Sequence, residues 1–175
     1  GLEAALFYAR LKTIVECISN ECPTPADLLN RLSILLSAED NELFATVIAL
    51  QIQTDNPEIT FACAGHSAPV INRPRSGYTE LAQTPEGVPL GLFTTGTEPY
   101  ANQTIQLLPG DGIFLYTDGV IEANGNNKRI GANELKLAIE RIEELPADAF
   151  LENLVNQLIP DKIRECPDED YTAIY

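Results

Sequence analysis

An acidic residue at the end of an apolar run is the side chain of this sequence best suited to chemistry. Residues 112–123 are Gly-Ile-Phe-Leu-Tyr-Thr-Asp-Gly-Val-Ile-Glu-Ala, so Asp118 ends that run and Gly119 follows it. Carboxylate oxygens are the ligands that Mg²⁺ and Mn²⁺ prefer. The same position also suits a turn residue or a helix cap. This segment alone therefore leaves a metal ligand and a local structural role as alternatives.

The apolar run that carries Asp118 is predicted to be a buried strand. It covers residues 112–117 and is entered through Leu-Pro-Gly-Asp-Gly at 108–112, a sequence rich in residues that bend chains. Asp111 is most simply a turn residue there. We therefore expect Asp118 to lie where a strand ends.

Apolar spacing predicts an antiparallel pair of helices in the first part of the chain. The first helix runs from Leu2 to about Ser19, and the second follows the N-cap Thr24 and ends near Ser37. Two later helices are predicted at 132–144 and 147–158.

Runs rich in β-branched and aromatic residues, bounded by turns, predict strands between these helices. They are expected at 43–53, 58–64, 69–72, 78–82, 104–107, 112–117 and 171–175, and the first two should form a hairpin. Strands and helices thus occur in blocks. This pattern favours an α+β fold with mainly antiparallel sheets over a parallel doubly wound sheet.

The composition predicts a single domain over residues 1–175. The chain has 45% apolar residues and a formal charge of −15, which repels a phosphate backbone and an anionic membrane surface. We therefore expect neither nucleic acid nor membrane as a partner. The sequence contains no methionine, so we expect it to be part of a longer protein.

The cysteines do not predict a metal site. Cys17, Cys22, Cys63 and Cys166 lack Cys-x-x-Cys spacing, which argues against a zinc knuckle. The sequence has no signal-peptide pattern and no run of 18 apolar residues. A cytoplasmic protein with reduced thiols is the expectation.

Four separated stretches share one resemblance. They are Gly-Leu-Glu-Ala-Ala-Leu at 1–6, Cys-Ala-Gly-His-Ser-Ala-Pro at 63–69, Pro-Leu-Gly-Leu at 89–92 with the segment 107–123, and Asp-Glu-Asp-Tyr-Thr at 168–172. Together they resemble the SpoIIE-like bacterial branch of the metal-dependent type 2C serine/threonine protein phosphatases. The resemblance covers nearly the whole chain.

The resemblance implies a fold and a reaction. The fold is two packed, mainly antiparallel β-sheets flanked by pairs of helices. The reaction is hydrolysis of phosphoserine or phosphothreonine with two Mn²⁺ or Mg²⁺ ions, which neutralise phosphate oxygens and activate a bridging water. Asp118 then corresponds to a metal ligand, and Gly1 and Gly119 to backbone positions at the metal site. The family's first metal-binding acids would lie upstream of Gly1, which resembles the last glycine of an Asp-x-x-Gly-x-Gly stretch.

The C-terminal ligand segment departs from the family pattern. The family has Asp-Asp/Asn-x-Thr, with the first Asp as ligand, but alignment on Thr172 places Glu169 at that position and Asp170 second. Asp168 then lies one residue too early. We expect Glu169 and Asp170 to be metal ligands. The alternative is a degenerate phosphatase-like domain, because the longer glutamate displaces its carboxylate.

Three further residues lie in or near these motifs. His66 is either a general acid for the leaving alcohol or a structural hydrogen-bonding group, and the second role is favoured. Glu122 either supports the metal ligands or is a solvated carboxylate. Arg129 either contacts a phosphate or is solvated.

Relatives in this branch commonly act as output domains. The resemblance therefore implies an N-terminal sensor or receiver domain and a small phosphorylated regulatory protein as substrate, such as an anti-sigma-factor antagonist. Residues 2–37 are expected to form a regulatory switch and a homodimer surface. The alternative is an adaptor that binds a sigma factor or regulator without hydrolysis.

Overall fold

The computed structural model describes residues 1–37, 43–84, 87–92, 100–122, 131–142, 145–158 and 172–174. The chain forms two compact units that alternate along the sequence. The first unit combines Gly1–His66 with Gln83–Leu107, and the second combines Ser67–Ala82 with Leu108–Tyr175. The chain therefore passes from one unit to the other three times, after residues 66, 82 and 107.

The described residues contain five α-helices and seven strands. The helices are α1 (Leu2–Ile18), α2 (Pro25–Ser37), α3 (Asp118–Glu122), α4 (Ala132–Glu140) and α5 (Ala147–Leu158). The strands are β1 (Val47–Ile52), β2 (Glu58–Ala64), β3 (Val70–Arg73), β4 (Tyr78–Leu81), β5 (Gln103–Gln106), β6 (Gly112–Tyr116) and β7 (Ala173–Ile174). None of these helices combines the length and apolarity that a membrane span needs.

The first unit is a three-stranded antiparallel sheet with the order β1-β2-β5, packed against α2. The predicted hairpin is confirmed, with Val47 opposite Ala64 and Ile52 opposite Ile59. The apolar face of α2 supplies the core, while α1 adds partly buried side chains from one of its faces. Fully buried residues of this core include Leu29, Leu32, Ala62, Ala64 and Leu90.

Residues 100–102 fasten α2 to the rest of the first unit through polar contacts. The backbone N–H of Tyr100 donates to Asn30 Oδ1, and Asn30 Nδ2 donates to the carbonyl of Tyr100, both at 3.2 Å. Asn102 Oδ1 accepts from the N–H of Ala26 at 2.9 Å, which satisfies a first-turn donor that has no partner inside the helix. The Tyr100 hydroxyl donates to the carbonyl of Val88 at 2.7 Å.

The second unit is a four-stranded antiparallel sheet with the order β4-β3-β6-β7. Helices α4 and α5 pack against it, and their apolar side chains form one core with those of the sheet. Phe114 and Tyr116 stack with ring centroids 5.6 Å apart, and both belong to the buried core. The main contributors from the helices are Leu135, Ile139, Phe150 and Leu154.

The predicted α+β class with mainly antiparallel sheets and flanking helices is confirmed. Two details differ. Helix α3 covers 118–122, where the sequence predicted no helix. Helix α4 ends at Glu140 rather than Glu144, since the N–H groups of Arg141 and Ile142 bond three residues back and tighten the last turn. Residues 143 and 144 lie outside the described residues. A single domain over residues 1–175 stays a prediction.

The Cys-Ala-Gly-His and Pro-Leu-Gly-Leu motifs pack backbone against backbone in the first unit. Gly65 has φ +66°, and a Cβ there would lie 2.6 Å from Pro89 Cγ and 2.8 Å from Pro89 N. A Cβ on Gly87 would lie 2.3 Å from the carbonyl oxygen of Cys63. The Ala45 and Leu90 backbones exchange two hydrogen bonds of 2.9 and 2.8 Å beside this contact. Gly65 and Gly87, which lies two residues before the second motif, therefore permit a close approach that side chains would prevent.

We predict that Gly65→Ala costs more stability than Gly77→Ala. Both glycines have nearly the same positive φ, +66° and +67°, but a Cβ on Gly77 would meet nothing within 4 Å. Left-handed backbone costs about 1–2 kcal/mol in each variant, and overpacking adds about 1–3 kcal/mol at Gly65 alone. Urea denaturation of both variants measures the difference. Equal losses would show that the contact with Pro89 is unimportant.

Candidate metal centre

Backbone pairing on both sides fixes the strand that leads to Asp118. Strand β6 pairs with β3, where Gly112 is opposite Asn72, and with β7, where Tyr116 is opposite Ala173. Residues 112–114 pair with β3 and residues 115 and 116 pair with β7, so the strand cannot shift along its length without breaking both ladders. The position of Asp118 is set by this pairing.

Thr117 continues the pairing to the residue before Asp118. Its N–H donates to the carbonyl of Thr172 at 3.0 Å, and its Oγ1 accepts from the N–H of Thr172 at 3.0 Å. Its carbonyl accepts from Val120 N at 3.0 Å, which starts α3. Thr117 therefore joins three elements: β6, α3 and the segment that leads into β7.

The carboxylate of Asp118 is exposed and only partly engaged. Its Oδ1 accepts from the N–H of Gly119 at 3.0 Å, and within the described residues its second oxygen has no hydrogen bond. An exposed carboxylate with one uncommitted oxygen fits a single hard-cation ligand, since Mg²⁺ keeps several waters and needs few protein carboxylates. The local structural role is also present, because Asp118 opens α3.

The other predicted ligands lie outside the described part of the chain. Residues 168–170, which include Glu169 and Asp170, precede Thr172, and Thr172 is bound to Thr117. The side chain of Glu122 and the whole of Arg129 are also not described. Among the residues that are described, no group of three or more His, Cys, Asp or Glu side chains could hold an ion. The full ligand set stays a prediction.

His66 and Gly1 belong to the first unit, whereas Asp118 and Gly119 belong to the second. His66 follows the end of β2, and its Nδ1 lies 3.3 Å from the hydroxyl of Thr46. This contact fits the structural role that the sequence favoured for His66. Gly1 precedes α1, and its carbonyl accepts the N–H of Ala5 at 3.1 Å.

A buried ion pair holds the turn at the start of β6. Asp111 Oδ2 accepts from the N–H of Leu108 at 3.0 Å, as expected for a turn residue. It also accepts from the Nη1 of Arg73, and its side chain is only 2% exposed. Burial lowers the pKa of the Arg73 guanidinium, but hydrogen bonds to Glu80 and Asp111 outweigh that effect and raise the pKa above its ordinary value. No local pattern predicts this pair, since Arg73 lies 38 residues before Asp111.

Cys63 is a core thiol rather than a nucleophile. It is buried in β2, and burial raises the pKa of its thiol to about 11. The thiolate is the reactive form of cysteine, so this side chain is unreactive at neutral pH.

We predict that iodoacetamide at pH about 8 modifies Cys17, which is exposed, and spares Cys63 in the folded protein. Mass spectrometry of tryptic peptides measures both sites. The same reaction in guanidinium chloride is the control and should label Cys63 as fast as Cys17. Because the folded state raises the thiol pKa from 9.0 to about 11, this residue's contribution to stability is complete below pH 9 and is lost as the pH rises towards 11. Rapid labelling of Cys63 in the native protein would contradict its burial.

Comparisons with known proteins agree on one family. The whole chain, residues 1–175, matches the family model described as stage II sporulation protein E (SpoIIE). A phosphoserine phosphatase, RsbU of Bacillus subtilis, is 24% identical over 160 residues, which are 91% of this chain and 47% of that protein. The chain thus spans about half the length of this curated relative.

Two solved structures are similar to the chain in fold. The SiaA-PP2C domain of Pseudomonas aeruginosa has a TM-score of 0.75 at 17% identity and covers 99% of this chain and 68% of that one. The RsbU and RsbW domains of a Mycobacterium tuberculosis protein give a TM-score of 0.73 at 21% identity, covering 99% of this chain and 47% of that one. At these identities the likeness concerns the fold alone.

Proposed function

The chain belongs to the SpoIIE family, and from this premise we propose that it is a metal-dependent serine/threonine protein phosphatase domain. The observation that carries the proposal is Asp118, an exposed carboxylate with an uncommitted oxygen at the end of a strand paired on both sides. The relative RsbU, named as a phosphoserine phosphatase, supports the reaction class.

Asp118 binds a metal ion through its uncommitted oxygen, while Gly119 N–H holds the other oxygen and orients the carboxylate. Glu169 and Asp170 supply further ligands. The bound Mn²⁺ or Mg²⁺ pair supplies charge neutralisation for phosphate oxygens and an acidified water. Thr117 is bonded to Thr172, which follows Asp170 by two residues.

His66 and Glu122 have supporting roles in this proposal. His66 acts as a structural hydrogen-bonding group in its turn, where its Nδ1 lies 3.3 Å from the hydroxyl of Thr46. Glu122 lies on α3, the helix that Asp118 opens, and stabilises the ligands nearby. Gly1 contributes its backbone at the metal site.

The proposed substrate is phosphoserine or phosphothreonine on a small bacterial regulatory protein of the anti-sigma-factor antagonist type, in the cytoplasm. RsbU is named a phosphoserine phosphatase, and a solved neighbour carries RsbU and RsbW domains in one protein. Both fit a signalling role in which an N-terminal sensor or receiver domain controls this domain as its output.

We predict that Asp118→Asn abolishes Mn²⁺-dependent phosphate release by the full-length protein from a phosphoserine antagonist protein. Loss of one ligand removes several kcal/mol of transition-state stabilisation, so we expect a fall of about 100-fold or more. Asp55→Asn, in the exposed turn between β1 and β2, is the control with the same change of charge and should keep full activity. Equal activity of Asp118→Asn and wild type would exclude Asp118 from the metal site.

The second candidate function is an adaptor that binds its regulatory partner without hydrolysis. Glu169 favours it, because the family pattern has aspartate there. In the same assay, retained partner binding without turnover at any Mn²⁺ concentration would support the adaptor. If Glu169→Asp then creates Mn²⁺-dependent turnover, the longer side chain is the cause of the loss.

We also propose that α1 forms a homodimer surface. Leu2, Leu6 and Tyr8 are 77%, 62% and 66% exposed, whereas other apolar side chains of the same helix pack against the core of the first unit. Leu6→Glu should convert a dimer into a monomer in analytical ultracentrifugation, because a charge then replaces apolar contact area. Ile52→Glu, at an equally exposed position on β1, is the control and should leave the mass unchanged. A wild-type monomer at all concentrations would remove the proposal.

A further inference from the structure

The second unit contains a cavity that the proposed phosphatase reaction does not use. It has a volume of about 310 Å³ and lies where the β3–β4 hairpin meets the end of α4. Asn72, at its floor, pairs with Gly112 at the start of β6, whereas Asp118 follows the far end of that strand. At about 3.3 Å per residue, six residues separate the two places by roughly 20 Å.

The floor of the cavity is polar although it is buried. Asn72 and Thr79 are 6% and 1% exposed, and they face each other across β3 and β4. Thr79 Oγ1 donates to Asn72 Oδ1 at 3.3 Å, and the N–H of Thr79 donates to Glu140 Oε1 at 3.2 Å. These bonds hold a carboxylate against the floor and keep one of its oxygens oriented.

The charge at the cavity favours a cation. Glu140 is the last residue of α4, where the helix dipole adds partial negative charge. Its Oε2 has no hydrogen bond among the described residues. Lys136 Nζ lies 3.7 Å from Oε1 and neutralises the carboxylate only in part, since both side chains remain about one-third exposed, at 35% and 29%. An anion would meet Glu140 directly.

The walls of the cavity are apolar enough to hold a hydrocarbon stem. Pro74, Ile142 and the ring of Tyr78 line it beside the polar floor. Pockets for small ligands combine such apolar walls with a few placed polar groups, and their volumes begin near 300 Å³. This combination suits a ligand with a charged donor at one end and methylene groups behind it.

We propose that this cavity binds an organic cation, a guanidinium or ammonium group on a short aliphatic stem, with Glu140 as the acceptor. The donors bond to Glu140 Oε2, and the stem lies against Tyr78 and Ile142. The cation comes either from a free amine or from an arginine or lysine side chain of a partner protein. Nothing in the proposed phosphatase reaction requires this site.

Isothermal titration of the full chain with two probes tests the proposal. Agmatine represents a free cation, and N-acetyl-arginine methylamide represents an arginine within a polypeptide. Saturable binding of either probe with one-to-one stoichiometry is expected. Preference for agmatine assigns the site to a free amine, and preference for the blocked arginine assigns it to a partner side chain.

Variants of two similar ion pairs, one at the cavity and one on α1, test whether the cation binds at Glu140. Glu140→Gln should weaken it about tenfold, the effect of losing one charge-assisted hydrogen bond, and the amide oxygen can still accept from Thr79 N. Lys136→Gln should strengthen binding, because Glu140 then loses its competing cation. Lys12 and Glu16 form the same i,i+4 pair at 3.9 Å on α1, and neither residue lines the cavity. Lys12→Gln and Glu16→Gln should change nothing. No saturable binding, or equal losses in Glu16→Gln and Glu140→Gln, would overturn the proposal.

Discussion

The backbone pairing of β6 is the constraint on which the candidate site depends. Its first three residues pair with β3 and its last two pair with β7, so the strand cannot slide by one residue without breaking both ladders and turning Phe114 and Tyr116 out of the core. Thr117 extends the same pairing to Thr172. An exposed carboxylate therefore stands on a rigid support, which is what a metal ligand needs, since coordination tolerates only small displacements.

The start of β6 is held by charge rather than by apolar contact. Asp111 is almost fully buried and accepts from both the turn backbone and Arg73, while Glu80 and the ring of Tyr78 surround the same guanidinium. Removing either partner of a buried pair leaves an uncompensated charge, so such a pair resists substitution even when its net contribution to stability is small. The start of β6 is thus held by an ion pair, and its end is held by backbone hydrogen bonds.

Local signals in the sequence predicted most elements, because they depend on nearby residues. Helix periodicity and the Thr24 cap located α1 and α2, and the turn chemistry located β6 and its terminal Asp118. Contacts between distant residues were not predictable in this way. Asn30 and Tyr100 are 70 residues apart, and Arg73 and Asp111 are 38 apart. The local sequence around Asn72 and Thr79 predicts strands but not the buried hydrogen bond between their side chains. Helix α3 was missed since five residues carry too little periodicity.

The alternation of the two units along the chain has a consequence for synthesis on the ribosome. Strand β2 pairs with β5, which is synthesised more than 40 residues later, and β3 pairs with β6. Neither sheet can therefore be completed from an early segment alone. Both sheets expose open strand edges while the chain emerges at about 5–20 residues per second, and open edges invite pairing with other chains. Nor can either unit be excised as one continuous peptide. A cut after residue 66 separates β1 and β2 from β5, a cut after residue 107 separates β3 and β4 from β6, and a cut after residue 82 divides both sheets. Neither unit can therefore be expressed alone as one continuous segment of the chain.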